Sequence, residues 1–191
     1  MAMSVNPTSL AFGNQVVGTT SAAQTLILSN GSGSSKAIAI AVTGPFARTT
    51  GTNNCGTNLT NNNSCNIYVV FSPTVTGAAT GSVTITSSIT VSNSPVGLSG
   101  TGVTAVRTAT VSPSPLAFGN QAIGTASGAK TLTVTNTGNV NLTGGTFTFG
   151  GGAPQPFSRA TFGQGGGGTC GTTLNVGASC TYRMRRRSRE S

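Results

Sequence analysis

Hydrophobic side chains alternate with polar or small ones along the first half of the chain. Leu26 and Leu28 are interleaved with Thr25, Ile27 and Ser29. Further rows with this spacing are Ile38/Ile40/Val42, Ile67/Val69/Phe71, Val83/Ile85 and Val96/Leu98. A period of two in β-branched residues indicates strands with one face turned to a core, and no segment has a helical period. About seven such strands, separated by turn residues, predict a two-sheet sandwich.

Two blocks of the sequence recur. Residues 5–19 and 111–125 are identical at ten of fifteen positions, at an offset of 106. The block from Cys55 to Cys65 recurs from Cys170 to Cys180, at an offset of 115. Repetition over this length predicts two tandem copies of one domain. The extra residues of the second copy coincide with the Gly-rich stretches 150–154 and 163–168, which predict lengthened loops.

The second copy departs from the first after Tyr182. The first copy continues through two more strands to Gly102, whereas the second reads Arg183-Met184-Arg185-Arg186-Arg187 and then Ser188 to Ser191. The predicted organisation is therefore a sandwich at 1–102, a linker at 103–110, a second sandwich at 111–182 without two of its strands, and an Arg-rich tail at 183–191. Missing strands should uncover apolar rows and leave a sheet edge unpaired, which favours association.

The composition excludes most catalytic chemistry. Only 6% of the 191 residues are charged, there is no His, and Glu190 is the single acid. General acid–base pairs, carboxylate metal sites and Ser-His-Asp triads all need residues that are absent. We therefore predict that the chain is not an enzyme and takes no cofactor or metal. No apolar run is long enough for a membrane span, and no signal peptide is visible at the N-terminus.

The four cysteines form two pairs with equal spacing, Cys55 with Cys65 and Cys170 with Cys180. Nine intervening residues do not match the short knuckles of zinc sites, so the spacing favours two local disulfides over buried free thiols. Closing a loop of this size removes unfolded-chain entropy equivalent to about 2.5–3 kcal/mol. Disulfides persist in oxidising compartments. Either an export signal therefore belongs to a longer parent chain, or the cysteines stay reduced.

The formal charge of +9 is concentrated at the C-terminus. Half of the ten basic residues are Arg183, Arg185, Arg186, Arg187 and Arg189. Clustered guanidinium groups could contact an anionic polymer or anionic lipid. The alternative, which we favour, is an accidental terminus of a truncated or frame-disrupted reading frame. The remaining cations are scattered, so nucleic acid is not the expected partner.

Several motifs together resemble a known family. They are L-A-F-G-N-Q-x-x-G-T, C-G-T-x-L-x4-S-C, Phe71-Ser72-Pro73 and the closing L-S-G-T-G at 98–102. They resemble the bacterial choice-of-anchor D repeats, which are similar to ASH (ASPM, SPD-2, Hydin) domains. The resemblance implies an all-β fold of tandem immunoglobulin-like sandwiches, related to PapD and major sperm protein, with the second sandwich incomplete. It carries no catalytic residues.

The resemblance also implies a functional class. Such modules occur in secreted or surface proteins of bacteria and in ciliary or centrosomal proteins of eukaryotes. We therefore predict a structural or adhesive module that contacts other protein domains, or copies of itself, through exposed sheet edges. The expected location is extracellular or at the cell surface, or ciliary or cytoplasmic in a eukaryote. A carbohydrate-binding sandwich is the alternative, although the sequence has no Trp and only two Tyr for stacking.

Overall fold

The computed structural model describes residues 2–149, 156–160 and 167–187. The chain divides into two compact units, Met1–Thr104 and Ala105–Ser191. The boundary falls within the predicted linker 103–110. The described residues form strands, turns and loops and contain no helix, so the predicted all-β class is confirmed.

The first unit is a sandwich of two five-stranded sheets. In chain order its strands are β1 (Met3–Asn6), β2 (Ser9–Val16), β3 (Gln24–Asn30), β4 (Lys36–Val42), β5 (Phe46–Thr49), β6 (Asn58–Leu59), β7 (Asn63–Phe71), β8 (Gly77–Ser87), β9 (Val91–Ser92) and β10 (Val96–Val103). One sheet has the order β5-β7-β3-β1-β9 and the other β2-β10-β8-β4-β6. The chain thus alternates between the sheets, as in immunoglobulin-like folds.

The inward-pointing side chains of the strands fill the space between the two sheets. Each predicted row has a buried inward face, and Leu26, Leu28, Ile67, Val69, Phe71, Val83 and Val96 are fully buried. Ile27, between two of them, is 46% exposed. Side chains of a strand point alternately to its two faces, so one face of each sheet makes the core. The predicted inward rows are therefore correct.

The first repeated block, residues 5–19, spans two strands. Val5 lies on β1, Met3–Asn6, whereas Leu10 and Phe12 lie on β2. Pro7 separates the two strands, because it has no N–H to donate to a ladder. As a result β1 joins one sheet and β2 the other. Short strands such as β6 and β9 bring the first unit to ten strands instead of about seven.

The described residues of the second unit form six strands. They are β11 (Ala109–Ser112), β12 (Lys130–Asn136), β13 (Leu142–Thr143), β14 (Phe157–Arg159), β15 (Thr173–Leu174) and β16 (Ser179–Arg186). The order β11-β12-β16-β14 makes one sheet, and β13 pairs with β15. Each of these strand pairings has a counterpart in the first unit. For example, Lys130 of β12 pairs with Met184 of β16, as Gln24 of β3 pairs with Val69 of β7.

Two predicted boundaries in the second unit are wrong. The Arg-rich tail was predicted to begin at Arg183, but β16 continues through Arg186 and pairs with both β12 and β14. Backbone pairing does not depend on side-chain identity, and Met184 occupies an inward position at which it is 6% exposed. Strand β11 begins at Ala109, inside the predicted linker, because Ala109 pairs with Asn136.

Some predictions concern residues outside the described part of the chain. The Gly-rich stretch 150–154 lies entirely outside it, as do residues 163–166 of the second stretch. Gly168 is described and forms a bridge with Tyr182. Arg189, Glu190 and the other residues from 188 onwards also lie outside the described residues.

Each unit contains a disulfide between a loop and a central strand. Cys55 is bonded to Cys65 of β7, with the Cα atoms 4.9 Å apart. Cys170 is bonded to Cys180 of β16, with the Cα atoms 4.8 Å apart. These are the pairs predicted from the spacing. The first pair is buried in the core of its unit, at 3% and 5% exposure.

A buried asparagine ends the third strand of the first unit. Asn30 donates from Nδ2 to the carbonyls of Leu59 at 2.8 Å and Ser34 at 3.0 Å. Its Oδ1 accepts the backbone N–H of Ser32 at 3.0 Å. One side chain therefore ties the end of β3 to β6 and to the loop before β4. The sequence indicated a turn at Asn30-Gly31 but not this role.

Asn136 repeats the arrangement in the second unit. Its Nδ2 donates to the carbonyls of Val140 at 2.9 Å and Leu174 at 3.0 Å, and its Oδ1 accepts the N–H of Gly138 at 3.0 Å. Asn136 follows Asn30 by the offset of 106 that relates the first repeated blocks. That recurrence at a strand end is the sequence signal that could have identified both residues.

Replacement of the buried amide should destabilise the first unit. Asn30→Ala removes the hydrogen bonds of this amide to three carbonyls and to the N–H and hydroxyl of Ser32, so we expect the free energy of unfolding to fall by about 1–3 kcal/mol. Urea unfolding, monitored by hydrogen exchange of the amides in residues 2–104, measures this change in the free energy of unfolding. The control is Ser29→Ala on the exposed face of the same strand, which should change stability by less than about 0.5 kcal/mol. Equal effects of the two substitutions would contradict the assigned role.

Removal of the first disulfide should also reduce stability. We expect Cys55→Ala/Cys65→Ala to lower the free energy of unfolding by about 2–4 kcal/mol, because the unfolded chain regains the entropy of an open loop. Guanidinium titration of the oxidised and dithiothreitol-treated chain makes the measurement. Reductant should shift the wild-type midpoint more than that of the variant, which retains only Cys170–Cys180. Identical shifts would show that the first disulfide contributes nothing.

Candidate functional site

Free thiols and groups of metal-binding side chains are both absent from the described residues. All four cysteines are in disulfides, and within the described part of the chain no three His, Cys, Asp or Glu side chains lie close enough to hold a metal ion. An open groove of about 540 Å³ beside β8 and β9 is lined by residues 84–91, Ser94 and Pro95, which are uncharged. The candidate sites are therefore surfaces: strand edges, exposed apolar side chains and the arginines of β16.

Strand edges are more open in the second unit. In the first unit β1 lies between β3 and β9, whereas among the described residues its counterpart β11 pairs with β12 alone. Strand β2 pairs in parallel with β10. The counterpart of β2, residues 115–122, forms no strand, since the described residues include no counterpart of β10. Unpaired edges of this kind can accept a strand from another polypeptide.

Exposed apolar side chains are concentrated in the second unit. Among the described residues, two large hydrophobic side chains are exposed in the first unit and six in the second. They are Ile27 and Val75 in the first, and Val106, Val111, Ile123, Phe147, Phe157 and Val176 in the second. Val111 is 46% exposed although its counterpart Val5 is fully buried. Of these residues, Val111 and Phe157 lie on the edge strands β11 and β14, where apolar side chains can contact another polypeptide.

An arginine replaces one member of an aromatic cluster. In the first unit Phe46 stacks on Phe71 at 4.8 Å between ring centroids, and Phe12 contacts both rings. In the second unit Phe118 and Phe157 keep such a contact at 5.7 Å. The position of Phe71 is taken by Arg186, which pairs with Phe157 as Phe71 pairs with Phe46. Its Nη1 donates to the Gly119 carbonyl at 2.8 Å.

The arginines that were predicted to form one contact for an anionic polymer lie on two different faces of β16. Met184 is buried and Arg186 points inward to Gly119, so both side chains lie on the inner face of β16. Alternation then puts Arg183, Arg185 and Arg187 on the outer face. The predicted patch is therefore corrected to three arginines on one face, without Arg186. Arg189 is outside the described residues.

Two side-chain contacts involve the tyrosines. The hydroxyl of Tyr68 donates to the carbonyl of Thr52 at 2.8 Å. The guanidinium carbon of Arg159 lies 4.8 Å from the ring centroid of Tyr182, at cation–π distance. Both tyrosines are thus engaged by residues of their own unit.

Comparisons with solved structures give similarities at low identity. The ASH/PapD-like domain 7 of human CEP192 is 15% identical, with 55% of this chain and 87% of that domain covered and a TM-score of 0.37. The E. coli chaperone DraB is 12% identical, with 95% and 84% covered and a TM-score of 0.39. A Porphyromonas gingivalis W83 protein of unknown function is 12% identical, with 98% and 84% covered and a TM-score of 0.40.

Other comparisons concern the sequence. A search of curated proteins gave no match. No helix in the described part of the chain has the length and apolarity that a membrane crossing requires. The family model of Cep192 domain 4 matches residues 1–103, which is more than half of the 191 residues. The chain therefore belongs to the Cep192 domain 4 family, and its first unit has the ASH-like immunoglobulin fold of that family.

Proposed function

We propose that this chain is a non-catalytic protein-interaction module of an exported or cell-surface protein. The observation that carries the proposal is the exposed apolar surface of the second unit next to unpaired strand edges. Both features bind polypeptides: apolar patches gain free energy on burial, and open edges gain backbone hydrogen bonds. The sequence has no His or Asp and a single Glu, so it offers few side chains for general acid–base catalysis.

The proposal includes two tandem copies of one domain of the choice-of-anchor D type. Strand registers support it. The pair Met3/Asn30 corresponds to Ala109/Asn136, and the pair Phe46/Phe71 to Phe157/Arg186. The buried Asn and the disulfide also recur at the expected offsets. Independent domains would have no reason to share backbone register, side-chain hydrogen bonds and cysteine spacing together.

The disulfides support export. A thiol pair stays oxidised outside the reducing cytosol, and both pairs of this chain are bonded. An adhesive or spacing role fits a surface rich in Thr, Ser and Asn with few charges. The carbohydrate alternative receives less support, because Tyr68 and Tyr182 are engaged within their own units.

Self-association at high salt tests the apolar surface. At about 0.5 M NaCl the repulsion between basic chains is largely screened, so we expect the full chain to self-associate through the second unit. Light scattering after size-exclusion chromatography measures the mass. Val111→Thr/Phe157→Thr should remain monomeric, because it removes two of the exposed apolar side chains.

The matched control for this experiment is Ile27→Thr. Ile27 and Val111 are equally exposed at 46%, but Ile27 lies on the outer face of the complete first unit. This variant should associate as the wild type does. A monomeric wild-type chain at high salt, or equal effects of Ile27→Thr and Val111→Thr/Phe157→Thr, would refute the proposed interaction surface.

Binding of an anionic polymer is a second candidate, favoured by the row of Arg183, Arg185 and Arg187. Alternate residues of a strand lie about 6.6 Å apart on one face, so the three arginines follow one another along β16. Arg187 is exposed, and Arg183 and Arg185 are half-buried. Neighbouring outward residues such as Thr131 and Ser158 are uncharged. The row could therefore neutralise successive anionic groups of one polymer and release their counterions.

Heparin chromatography tests the second candidate. Arg185→Val/Arg187→Ser introduces the residues that the first unit has at these positions, and we expect it to elute at lower salt than the wild type. The slope of log retention against log salt concentration should also become less steep by about 2, which is about 1 for each lost ionic contact. Arg107→Ser, which changes a cation outside β16, is the control. Equal elution of the wild type and the double variant would exclude the arginine row.

A further inference from the structure

A groove in the first unit lies where the chain crosses from one sheet to the other. Strand β8 runs to Ser87, but its pairing with β10 ends at Val83. Residues 84–87 therefore pair with β4 on one side and have no ladder partner among the described residues on the β10 side. The groove at this gap, which we call the β8–β9 groove, has a volume of about 540 Å³. Its lining residues are 84–91, Ser94 and Pro95.

Side-chain hydrogen bonds fix the wall that faces β8. The hydroxyl of Ser94 accepts the backbone N–H of Ile85 at 2.9 Å and donates to the carbonyl of the same residue at 3.2 Å. The amide of Asn93 donates to the carbonyl of Val5 at 3.0 Å. The turn before β10 is thus tied to one strand of each sheet, β8 and β1. The groove is therefore formed before any ligand arrives, as most small-ligand sites are.

The hydrogen bonds of Ser94 also argue against a polypeptide strand as the occupant. An added strand binds through N–H and C=O groups that the neighbouring strand leaves open. In this groove Ser94 already engages both backbone groups of Ile85. On the other side β9 is two residues long and pairs with β1. An extended peptide would find too few backbone partners here to continue either sheet.

The groove offers no charge to an ionic ligand. All of its lining residues are described, and none of them is acidic or basic. The cations of the first unit, Lys36 and Arg48, lie outside the lining. A phosphate, sulfate or carboxylate group placed here would lose hydration without gaining an ion pair. A neutral ligand avoids that loss.

Hydroxyl groups make up much of the polar lining. Ser87 donates to the carbonyl of Ala37 at 2.8 Å and is thereby engaged. Within the described part of the chain, the hydroxyls of Thr84, Ser88 and Thr90 make no hydrogen bond, and none of these residues is buried. A hydroxyl both donates and accepts, so these three can bond to either kind of group on a ligand.

Aliphatic surface lies among these hydroxyls. Ile89 is half-buried and Pro95 is exposed in the same lining. A sugar ring has a matching composition, with hydroxyl groups around its edge and C–H groups on its faces. A lipid chain would instead cover the hydroxyls of Thr84, Ser88 and Thr90 and leave them without partners. The lining therefore fits a saccharide better than a lipid.

We propose that the β8–β9 groove binds a short neutral oligosaccharide. The hydroxyls of Thr84, Ser88 and Thr90 bond to sugar hydroxyls, and Ile89 and Pro95 contact the C–H face of a ring. The lining contains no aromatic ring for stacking, so we expect a weak complex with a dissociation constant of about 1 mM. This inference goes beyond the proposed interaction function and uses none of the surfaces of the second unit.

Nuclear magnetic resonance titration of the full oxidised chain tests the proposal. The probes are maltotriose, cellotriose and mannotriose at up to about 10 mM, which is about tenfold above the expected dissociation constant. We expect at least one of these sugars to shift the amide signals of residues 84–95 in a saturable manner. Because the contacts join neutral groups, the dissociation constant should change by less than about twofold between about 0.05 and 0.5 M NaCl.

Removal of unengaged hydroxyls should weaken binding. Thr84→Val/Thr90→Val keeps the shape of both side chains, and we expect the dissociation constant to rise about tenfold because two hydrogen bonds are lost. Ser88→Ala removes the third hydroxyl from an exposed turn and should raise the dissociation constant about threefold, which keeps the proposal testable if the double variant does not fold. The matched control is Thr25→Val/Thr131→Val, which replaces two exposed strand threonines outside the groove and should bind as the wild type does.

The proposal is overturned if none of the three sugars shifts residues 84–95, or if the shifts lie elsewhere in the chain. Equal dissociation constants of Thr84→Val/Thr90→Val and its control would exclude the hydroxyls as the contacts. If an uncharged peptide of alternating Thr and Val shifted residues 84–95 and no sugar did, the occupant would be a polypeptide. Trigalacturonate should bind no more tightly than the neutral sugars, and tighter binding at residues 84–95 would identify an anion instead.

These outcomes are separate from those of the proposed function. High-salt association through Val111 and Phe157 involves the second unit, whereas the β8–β9 groove belongs to the first. Failure of sugar binding would therefore leave the interaction surface standing, and failure of the association would leave the groove standing.

Discussion

Burial of the inner faces of β3 and β7 is the constraint on which the rest of the structure depends. Each fully buried aliphatic or aromatic side chain contributes about 1.5–3 kcal/mol relative to an exposed one. In the first unit this contribution is available because β8 and β10 cover the pair. The counterpart pair β12 and β16 has the same register but lacks that cover among the described residues. Strand pairing and core burial are therefore separable in this chain.

Local interactions explain how the second unit keeps its strand pattern. The Cys170–Cys180 disulfide joins β16 to the loop before β15. Asn136, at the end of β12, donates to the carbonyl of Leu174 on β15 and so links the two sheets of the unit. The same interactions exist around Asn30 in the first unit, where the opposite sheet adds the apolar core. Among the described residues, the second unit exposes more large apolar side chains than the first.

Different parts of the structure were predictable to different degrees. The inward rows of β3, β7, β8 and β10 follow from a local period of two, which requires no knowledge of neighbours. The break at Pro7 and the strands β6 and β9 were missed, because two-residue strands have no period to detect. The continuation of β16 through the arginines was missed because composition suggested a tail, whereas backbone pairing tolerated the charges.

The sequence alone determined the all-β class, the repeated blocks, the cysteine pairs and the scarcity of catalytic groups, since each depends on residue type and spacing along the chain. Tertiary structure decided which faces are covered and which arginine points inward. It also decided that Asn30 and Asn136 bond to distant carbonyls. Those properties depend on which strands become neighbours, and a pattern read along one strand does not contain that information.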